Sequence, residues 1–170
     1  MPDFLQLVRR DHDDLEAGLR ELARPMLAAV DLRTALDGVR LGLTAHAEAE
    51  DIVLYGTLSH HELPAFVQQL VAEARRAHLE QESALAGLLC AQPDTSIWRA
   101  RAQHLLELVR RHAAHEEQVV IPALRDNLPV ASYAVLAGAF ATERMRQLAL
   151  LQPSAVYTVD DIPVRLAEAS

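Results

Sequence analysis

The fold is decided by two matching stretches, residues 46–55 (His-Ala-Glu-Ala-Glu-Asp-Ile-Val-Leu-Tyr) and residues 112–121 (His-Ala-Ala-His-Glu-Glu-Gln-Val-Val-Ile). In each stretch a histidine is followed four residues later by a glutamate, Glu50 in the first and Glu116 in the second, and then by an apolar run. Side chains four residues apart lie on one face of a helix, one turn along. Each stretch therefore predicts a helix that directs an imidazole and a carboxylate the same way.

Two further histidines extend this pattern. His12 precedes Glu16 by four residues, and His78 precedes Glu82 by four. The separation of these two histidines equals the separation of the two histidines in the matching stretches. An internal duplication of a helical hairpin is the simplest account, and it predicts four helices that face one another.

The composition indicates one domain with an aliphatic core. The chain has 170 residues, of which 51% are hydrophobic and only 4% aromatic, and leucine and alanine both favour helix. The formal net charge is −8, with 24 acidic against 16 basic residues. This balance argues against a nucleic-acid partner, because phosphates attract basic surfaces, and against a polybasic contact with a membrane.

Targeting and redox signals are absent from the sequence. The single cysteine, Cys90, cannot form an internal disulfide. No secretory signal opens the chain, and no apolar run approaches the length of about 18 residues that suggests a membrane span. These features predict a soluble cytoplasmic protein.

Apolar residues recur at steps of three and four along most of the chain, which predicts an all-α fold. The four helices of the core occupy about residues 1–128, and the second of them is predicted over 34–55 with a connector at 56–62. A fifth helix is predicted over about 132–151, which completes a single domain at 1–151. The tail, 152–170, has little helical signal and is predicted to be extended.

Histidines on four apolar stripes point to a metal centre. Burying several carboxylates and imidazoles together is costly unless cations compensate their charge. Four helices of this kind offer up to eight nitrogen and oxygen ligands, which is enough for two ions. Imidazole with carboxylate suits iron, manganese, zinc or copper. The Glu-x-x-His pattern of ferritin-like bundles and the His-Glu-x-x-His pattern of zinc proteases are both absent.

The arrangement resembles the hemerythrin-like, or HHE cation-binding, proteins. Their signature is a histidine on the first helix, His-x-x-x-Glu on the second, a histidine on the third and His-x-x-x-Glu on the fourth. The residues that match it are His12, His46, Glu50, His78, His112 and Glu116. The resemblance implies an up-down four-helix bundle around a non-haem di-iron site, with Glu50 and Glu116 bridging the ions and histidines in terminal positions.

The chain departs from the oxygen-carrying hemerythrins at two positions. Glu82 stands where they have a second histidine on the third helix, and Glu116 stands one residue before their aspartate position, which Glu117 occupies here. An anionic ligand stabilises a more oxidised metal, so peroxide or nitric oxide chemistry, or sensing of iron or oxygen, is favoured over reversible oxygen carriage. Glu16 and Glu82 are candidate ligands that could instead support a histidine or pair with an arginine.

Several points stay open at this level. The alternative function is a regulatory or structural interaction module whose site holds zinc, a single ion or no metal. Enzymatic activity is uncertain and no catalytic residue is named. Tyr55 and His115 could approach the metals, whereas Asp51 is expected at the surface. A homodimer through the fifth helix is possible, with the apolar residues Val135, Leu136 and Phe140 as its contact surface.

Overall fold

A computed structural model describes residues 3–24 and 29–152 of the protein, without the side chains of residues 29 and 30. Its regular structure is entirely helical within those ranges, which confirms the all-α prediction. The segments are α1 (Phe4–Leu22), α2 (Ala29–His60), α3 (Ala65–Leu89), α4 (Ser96–His115), a π-helical turn (Glu116–Val120), α5 (Ile121–Asn127) and α6 (Val130–Leu151). The predicted extended tail lies outside the described residues from position 153 onward.

Helix α1 begins at a capping box and buries one stripe of side chains. The Asp3 carboxylate accepts from the backbone N–H of Phe4, and the Gln6 side chain accepts from the backbone N–H of Asp3 at 3.0 Å. These bonds satisfy N–H groups that lack helical partners. The buried stripe, at steps of three and four, includes Val8 and His12, so the first histidine points inward.

Helix α2 is longer than the sequence predicts. It runs through the expected connector at 56–62 as far as His60. Gly56 weakens a helix by about 1 kcal/mol relative to alanine. The apolar side chains before and after it pack on the core and stabilise the helix across this position. Leu54 is buried and Leu58 packs on the same apolar cluster. The hydroxyl of Thr57 also donates to the carbonyl of Val53 at 2.8 Å.

Helix α4 is fixed at its start by a cap and by a buried tryptophan. The Thr95 hydroxyl accepts from the backbone N–H of Trp98 at 3.1 Å, which satisfies one free donor of the first turn. The indole N–H of Trp98 donates to the carbonyl of Leu22 at 3.0 Å. This bond ties the start of α4 to the end of α1.

The π-helical turn separates α4 from α5 just before Pro122. A proline inside a helix favours an irregularity, because its nitrogen cannot donate to the helix ladder. Here the irregularity is the π-helical turn at Glu116–Val120, upstream of the proline. This turn begins at the glutamate that ends the second His-x-x-x-Glu motif. Turns of this type carry one extra residue per hydrogen-bonded ring and are frequent at functional sites.

Helix α6 packs against α2 and α1 and adds to the core. The ring of Phe140 meets the rings of Phe4 and His46 edge to face, with both centroid distances at 5.8 Å. Leu136 and Phe140 are therefore buried, and the predicted dimer surface is wrong for these two residues because the chain covers them itself. Val135 is 64% exposed.

The core consists of two apolar clusters with a polar layer between them. One cluster joins the start of α1 and α3 to the end of α2, and it includes Phe4, Val67 and Leu54. The other joins the end of α1 to the start of α4, and it includes Leu19 and Trp98. The predicted ligand residues lie in the layer between the clusters. No helix in the described ranges is long and apolar enough to cross a bilayer.

Candidate metal centre

The structure brings the six principal predicted ligands together in this polar layer. All six side chains are buried, with relative exposures between 0% and 5%. Helix α1 supplies one, α2 two, α3 one, α4 one and the π-helical turn one. These residues are His12, His46, Glu50, His78, His112 and Glu116. We call this set the His/Glu cluster.

The His/Glu cluster contains two overlapping groups of four potential ligands. The first is His12, His46, His112 and Glu116; the second is His46, Glu50, His78 and His112. Within each group the ligand atoms lie no more than 4.8 Å from one another. His46 and His112 belong to both groups, so the two groups are adjacent.

Close contacts within the cluster join imidazole nitrogens to carboxylate oxygens. Glu116 Oε2 lies 3.3 Å from His12 Nε2 and 3.3 Å from His112 Nε2. Glu50 Oε2 lies 3.3 Å from His78 Nε2. Each glutamate therefore approaches a histidine from a helix other than its own.

A second layer of carboxylates stands behind three of the histidines. The Nδ1–H of His12 donates to Glu117 at 2.9 Å, and the Nδ1–H of His78 donates to Asp51 at 3.0 Å. Behind His46, Nδ1 lies 3.4 Å from a carboxylate oxygen of Asp11. A proton held on Nδ1 of His12 and His78 would leave Nε2 of these two rings, which lies inside the cluster, available to a metal ion.

Sequence reasoning missed this second layer. Asp51 was expected at the surface; its side chain is 27% exposed, but it also accepts a hydrogen bond from the buried His78, which was not predicted. The available signal was adjacency: Asp11 precedes a cluster histidine, and Asp51 and Glu117 each follow a cluster glutamate. A neighbour in sequence points about 100° away on its own helix, so only the position of the facing helix could show that it reaches a histidine.

An arginine pairs with each carboxylate of the second layer. Arg144 of α6 donates to Asp11, Arg9 donates to Glu117 at 2.8 Å, and Arg75 lies 3.4 Å from Asp51. Burial raises the pKa of Asp11, but the neighbouring His46 and Arg144 outweigh it and lower that pKa overall. Against burial, His12 and Arg9 likewise lower the pKa of Glu117, so Arg144 and Arg9 help to keep Asp11 and Glu117 ionised beside their histidines.

Burial and neighbouring charge divide the four histidines into two kinds. Burial lowers the pKa of His46 to about 4, and it also lowers the pKa of His112. Burial also acts to lower the pKa of His12 and of His78, but the carboxylates beside these two rings outweigh it. They raise the pKa of His12 to about 9 and the pKa of His78 to about 10. Two histidines therefore favour the neutral form and two favour the charged form in the absence of a cation.

The two buried glutamates are also held in opposite states. Burial and the nearby charge of Glu116 raise the pKa of Glu50 to about 8. Burial also acts to raise the pKa of Glu116, but the neighbouring His112 and His12 outweigh it and hold that pKa well below its usual range. Two carboxylates so close together resist ionising at once, and a cation between them would remove that conflict.

Unpaired buried atoms show that the residues fit a metal. The carboxylate oxygens of Glu50 and Glu116 and the Nε2 atoms of His12 and His46 make no hydrogen bond to any residue that the structure describes. Buried polar atoms almost always have partners. Imidazole nitrogen and carboxylate oxygen are suitable ligands for iron, manganese and zinc. The unpaired nitrogen and oxygen atoms of the cluster therefore fit a metal ion.

The less certain candidates lie outside the His/Glu cluster. Glu16 receives hydrogen bonds from Arg20 and Arg110, which matches the predicted alternative of pairing with arginine. Glu82 is exposed, on the wall of a groove between α2 and α3. His115 belongs to neither ligand group, and Tyr55 is 42% exposed, with its hydroxyl accepting from Arg75 at 2.9 Å.

A helical protein with a buried layer of histidines and glutamates belongs to the class of metal-binding helical proteins. The family model of the hemerythrin HHE cation-binding domain matches residues 3–124. The chain therefore belongs to this family, which confirms the resemblance seen in the sequence. Searches of curated proteins and of solved structures find no match.

Proposed function

We propose that the protein is a non-haem di-iron protein that handles oxygen, peroxide or nitric oxide, or senses iron or oxygen. One observation carries the proposal: two four-ligand groups adjoin in one buried layer and offer only imidazole and carboxylate atoms. Bound iron would supply redox chemistry toward these small molecules. The chain's own part is to hold histidine Nε2 atoms and glutamate oxygens inward and to exclude water.

The up-down order of the four core helices is part of this proposal. The start of α1 shares an apolar cluster with the end of α2 and the start of α3, and the end of α1 shares the other cluster with the start of α2. Alternating helix direction accounts for both clusters. It also brings the four histidines to one level, since His12, His46 and His78 lie near the middle of their helices and His112 lies where α4 meets the π-helical turn.

Metal content tests the proposal directly. Protein purified without metal-affinity resin should hold two irons per chain, with a ligand-to-metal absorption that bleaches on reduction. Glu50→Gln and Glu116→Gln should each lose iron, because the amide keeps the shape of the side chain but removes its charge. Glu107→Gln, at an exposed glutamate of α4, is the control and should keep full iron. Full iron in both cluster variants would overturn the site assignment.

A regulatory or structural interaction module whose site holds zinc, a single ion or no metal is the second candidate. The observation that favours it is the sharing of His46 and His112 by both ligand groups, because one ion could use these two rings and leave the other group incomplete. Zinc is satisfied by four nitrogen and oxygen ligands. One zinc per chain with no redox-sensitive absorption would select this candidate.

Removing the metal distinguishes a filled site from an unused one. A ligand that binds only the folded state stabilises it by about 2.7 kcal/mol at a hundred times its dissociation constant. Treatment with a chelator should therefore lower the melting temperature, and adding back ferrous iron should restore it. Equal melting temperatures with and without chelator would mean that the bundle stands without metal.

A further inference from the structure

A groove between α2 and α3 borders the His/Glu cluster. Its volume is about 370 Å³, which lies in the range of small-molecule sites. Apolar side chains from both helices line it, among them Leu43 and Ile52 from α2 and Leu79 and Leu85 from α3. His78 forms part of the same wall, so the groove runs from the surface to a residue of the cluster.

Gln81 gives the groove an unused hydrogen-bonding group. This side chain lies one turn beyond His78 on α3 and is only 2% exposed. Neither its Nε2 nor its Oε1 makes a hydrogen bond within the part of the chain that the structure describes. Because buried amides almost always have partners, the side chain is suited to a molecule that both accepts from Nε2 and donates to Oε1.

The charges of the groove disfavour anions. The carboxylates of Glu48, Asp51 and Glu82 line it, against the guanidinium of Arg75 and the ring of His78. Both of these groups are already engaged, since Arg75 lies 3.4 Å from Asp51 and His78 donates to Asp51 at 3.0 Å. The carboxylates of Glu48 and Glu82 repel a carboxylate or phosphate, and the apolar walls favour a neutral molecule because burying an unpaired charge is costly.

We infer that this groove binds a neutral amphiphilic small molecule whose head group both donates and accepts a hydrogen bond, with Gln81 as the residue that selects it. A primary carboxamide fits this description, because its N–H donates to Gln81 Oε1 while its carbonyl accepts from Nε2–H. The alkyl part covers the apolar walls. The inference goes beyond the proposed function and holds whichever metal occupies the cluster.

A series of probes of equal chain length tests the inference on the full chain as purified. Hexanamide should bind saturably in a calorimetric titration. N,N-dimethylhexanamide, which cannot donate, and hexanoate, which is charged, should each bind about tenfold more weakly, because each leaves a buried polar group unpaired or brings in like charge. No saturable binding of hexanamide, or equal affinity for all three probes, would overturn the inference.

The Gln81→Leu substitution tests whether Gln81 is responsible for the preference for hexanamide. Replacing an unpaired buried polar group with an apolar one of similar size is close to neutral for folding. The variant should bind hexanamide about tenfold more weakly and should lose its preference over the dimethyl amide. Gln103→Leu, at an exposed glutamine of α4, is the matched control and should behave as the parent chain.

Metal analysis of the same samples keeps this inference separate from the proposed function. Unchanged affinity in Gln81→Leu would overturn the inference, and so would a loss of metal in that variant, because Gln81 would then support the cluster and not a ligand. Selective hexanamide binding by a chain without iron would refute the di-iron proposal and support the inference. If Gln81→Leu fails to fold, the probe series on the parent chain still decides the question.

Discussion

Three histidines of the cluster each stand in a relay of histidine, carboxylate and arginine. The relays are His12–Glu117–Arg9, His46–Asp11–Arg144 and His78–Asp51–Arg75. A carboxylate at Nδ1 holds the ring in one orientation and raises the basicity of Nε2. At His46 the contact is a 3.4 Å approach of Asp11 to Nδ1 without a hydrogen bond, and Nδ1 of the fourth histidine, His112, makes no hydrogen bond within the described residues. The relays predict that affinity for metal depends on residues that touch no metal.

At the residue scale we predict that Asp51→Asn weakens metal binding about 10- to 100-fold. The amide keeps the size of the side chain but no longer fixes the proton on His78 Nδ1. Competition with a chromophoric chelator measures the change. Asp37→Asn, at an exposed aspartate of the same helix, should bind metal as the parent chain does. Equal affinities in the two variants would show that the relay of Asp51 is not needed.

At the scale of elements, the approach of α1 to α2 depends on a small side chain at one point. A Cβ atom added at Gly18 would lie 2.9 Å from Val39 Cγ2, which is closer than normal contact. Valine in a helix has essentially one rotamer, so it cannot turn away. Gly138 of α6 differs, because a Cβ atom there would meet nothing within 4 Å.

These two glycines predict opposite effects of the same substitution. Gly138→Ala should raise the free energy of unfolding by about 0.5–1 kcal/mol, since alanine loses less backbone freedom than glycine in a helix. Gly18→Ala should lower it, since the overlap with Val39 costs about 1–3 kcal/mol and exceeds that gain. Urea unfolding of both variants measures the difference. An equal gain at both positions would show that α1 and α2 can separate at no cost.

At the scale of the whole molecule, α6 completes the core around the His/Glu cluster. Phe140 is 1% exposed and contacts both Phe4 and the ring of His46. Arg144, one turn further along, donates to Asp11. Helix α6 therefore packs on the polar layer through an aromatic ring and reaches it through a charged side chain, although the family match ends at residue 124.

The packing of α6 predicts a large effect at one position and a small effect at another. Phe140→Ala should lower the free energy of unfolding by about 3–5 kcal/mol, because it opens a cavity in the core. Val135→Ala, at a residue of the same helix that is 64% exposed, should stay within about 0.5 kcal/mol of the parent chain. Chemical denaturation compares the two. Similar small changes would mean that α6 is not part of the cooperative core.

The helical class, the family and the inward direction of the cluster histidines could be predicted from the sequence. Helical periodicity places His12, His46 and His78 on apolar stripes, and the apolar stripe of an amphipathic helix is the side that faces the core. The sequence-based prediction of helix ends was wrong where tertiary packing outweighed a local preference. Gly56 suggested a connector, but apolar burial on both sides keeps α2 helical across it.

Which side chains contact each other across two helices could be seen only in the tertiary structure. Asp51 reaching His78, Glu117 reaching His12 and α6 covering its own apolar face all depend on how far each helix is rotated and shifted against its neighbour. Side-chain ridges and grooves fix that rotation and shift when the helices pack. Periodicity within one helix carries no information about either quantity, because it describes a face and not what the face will contact.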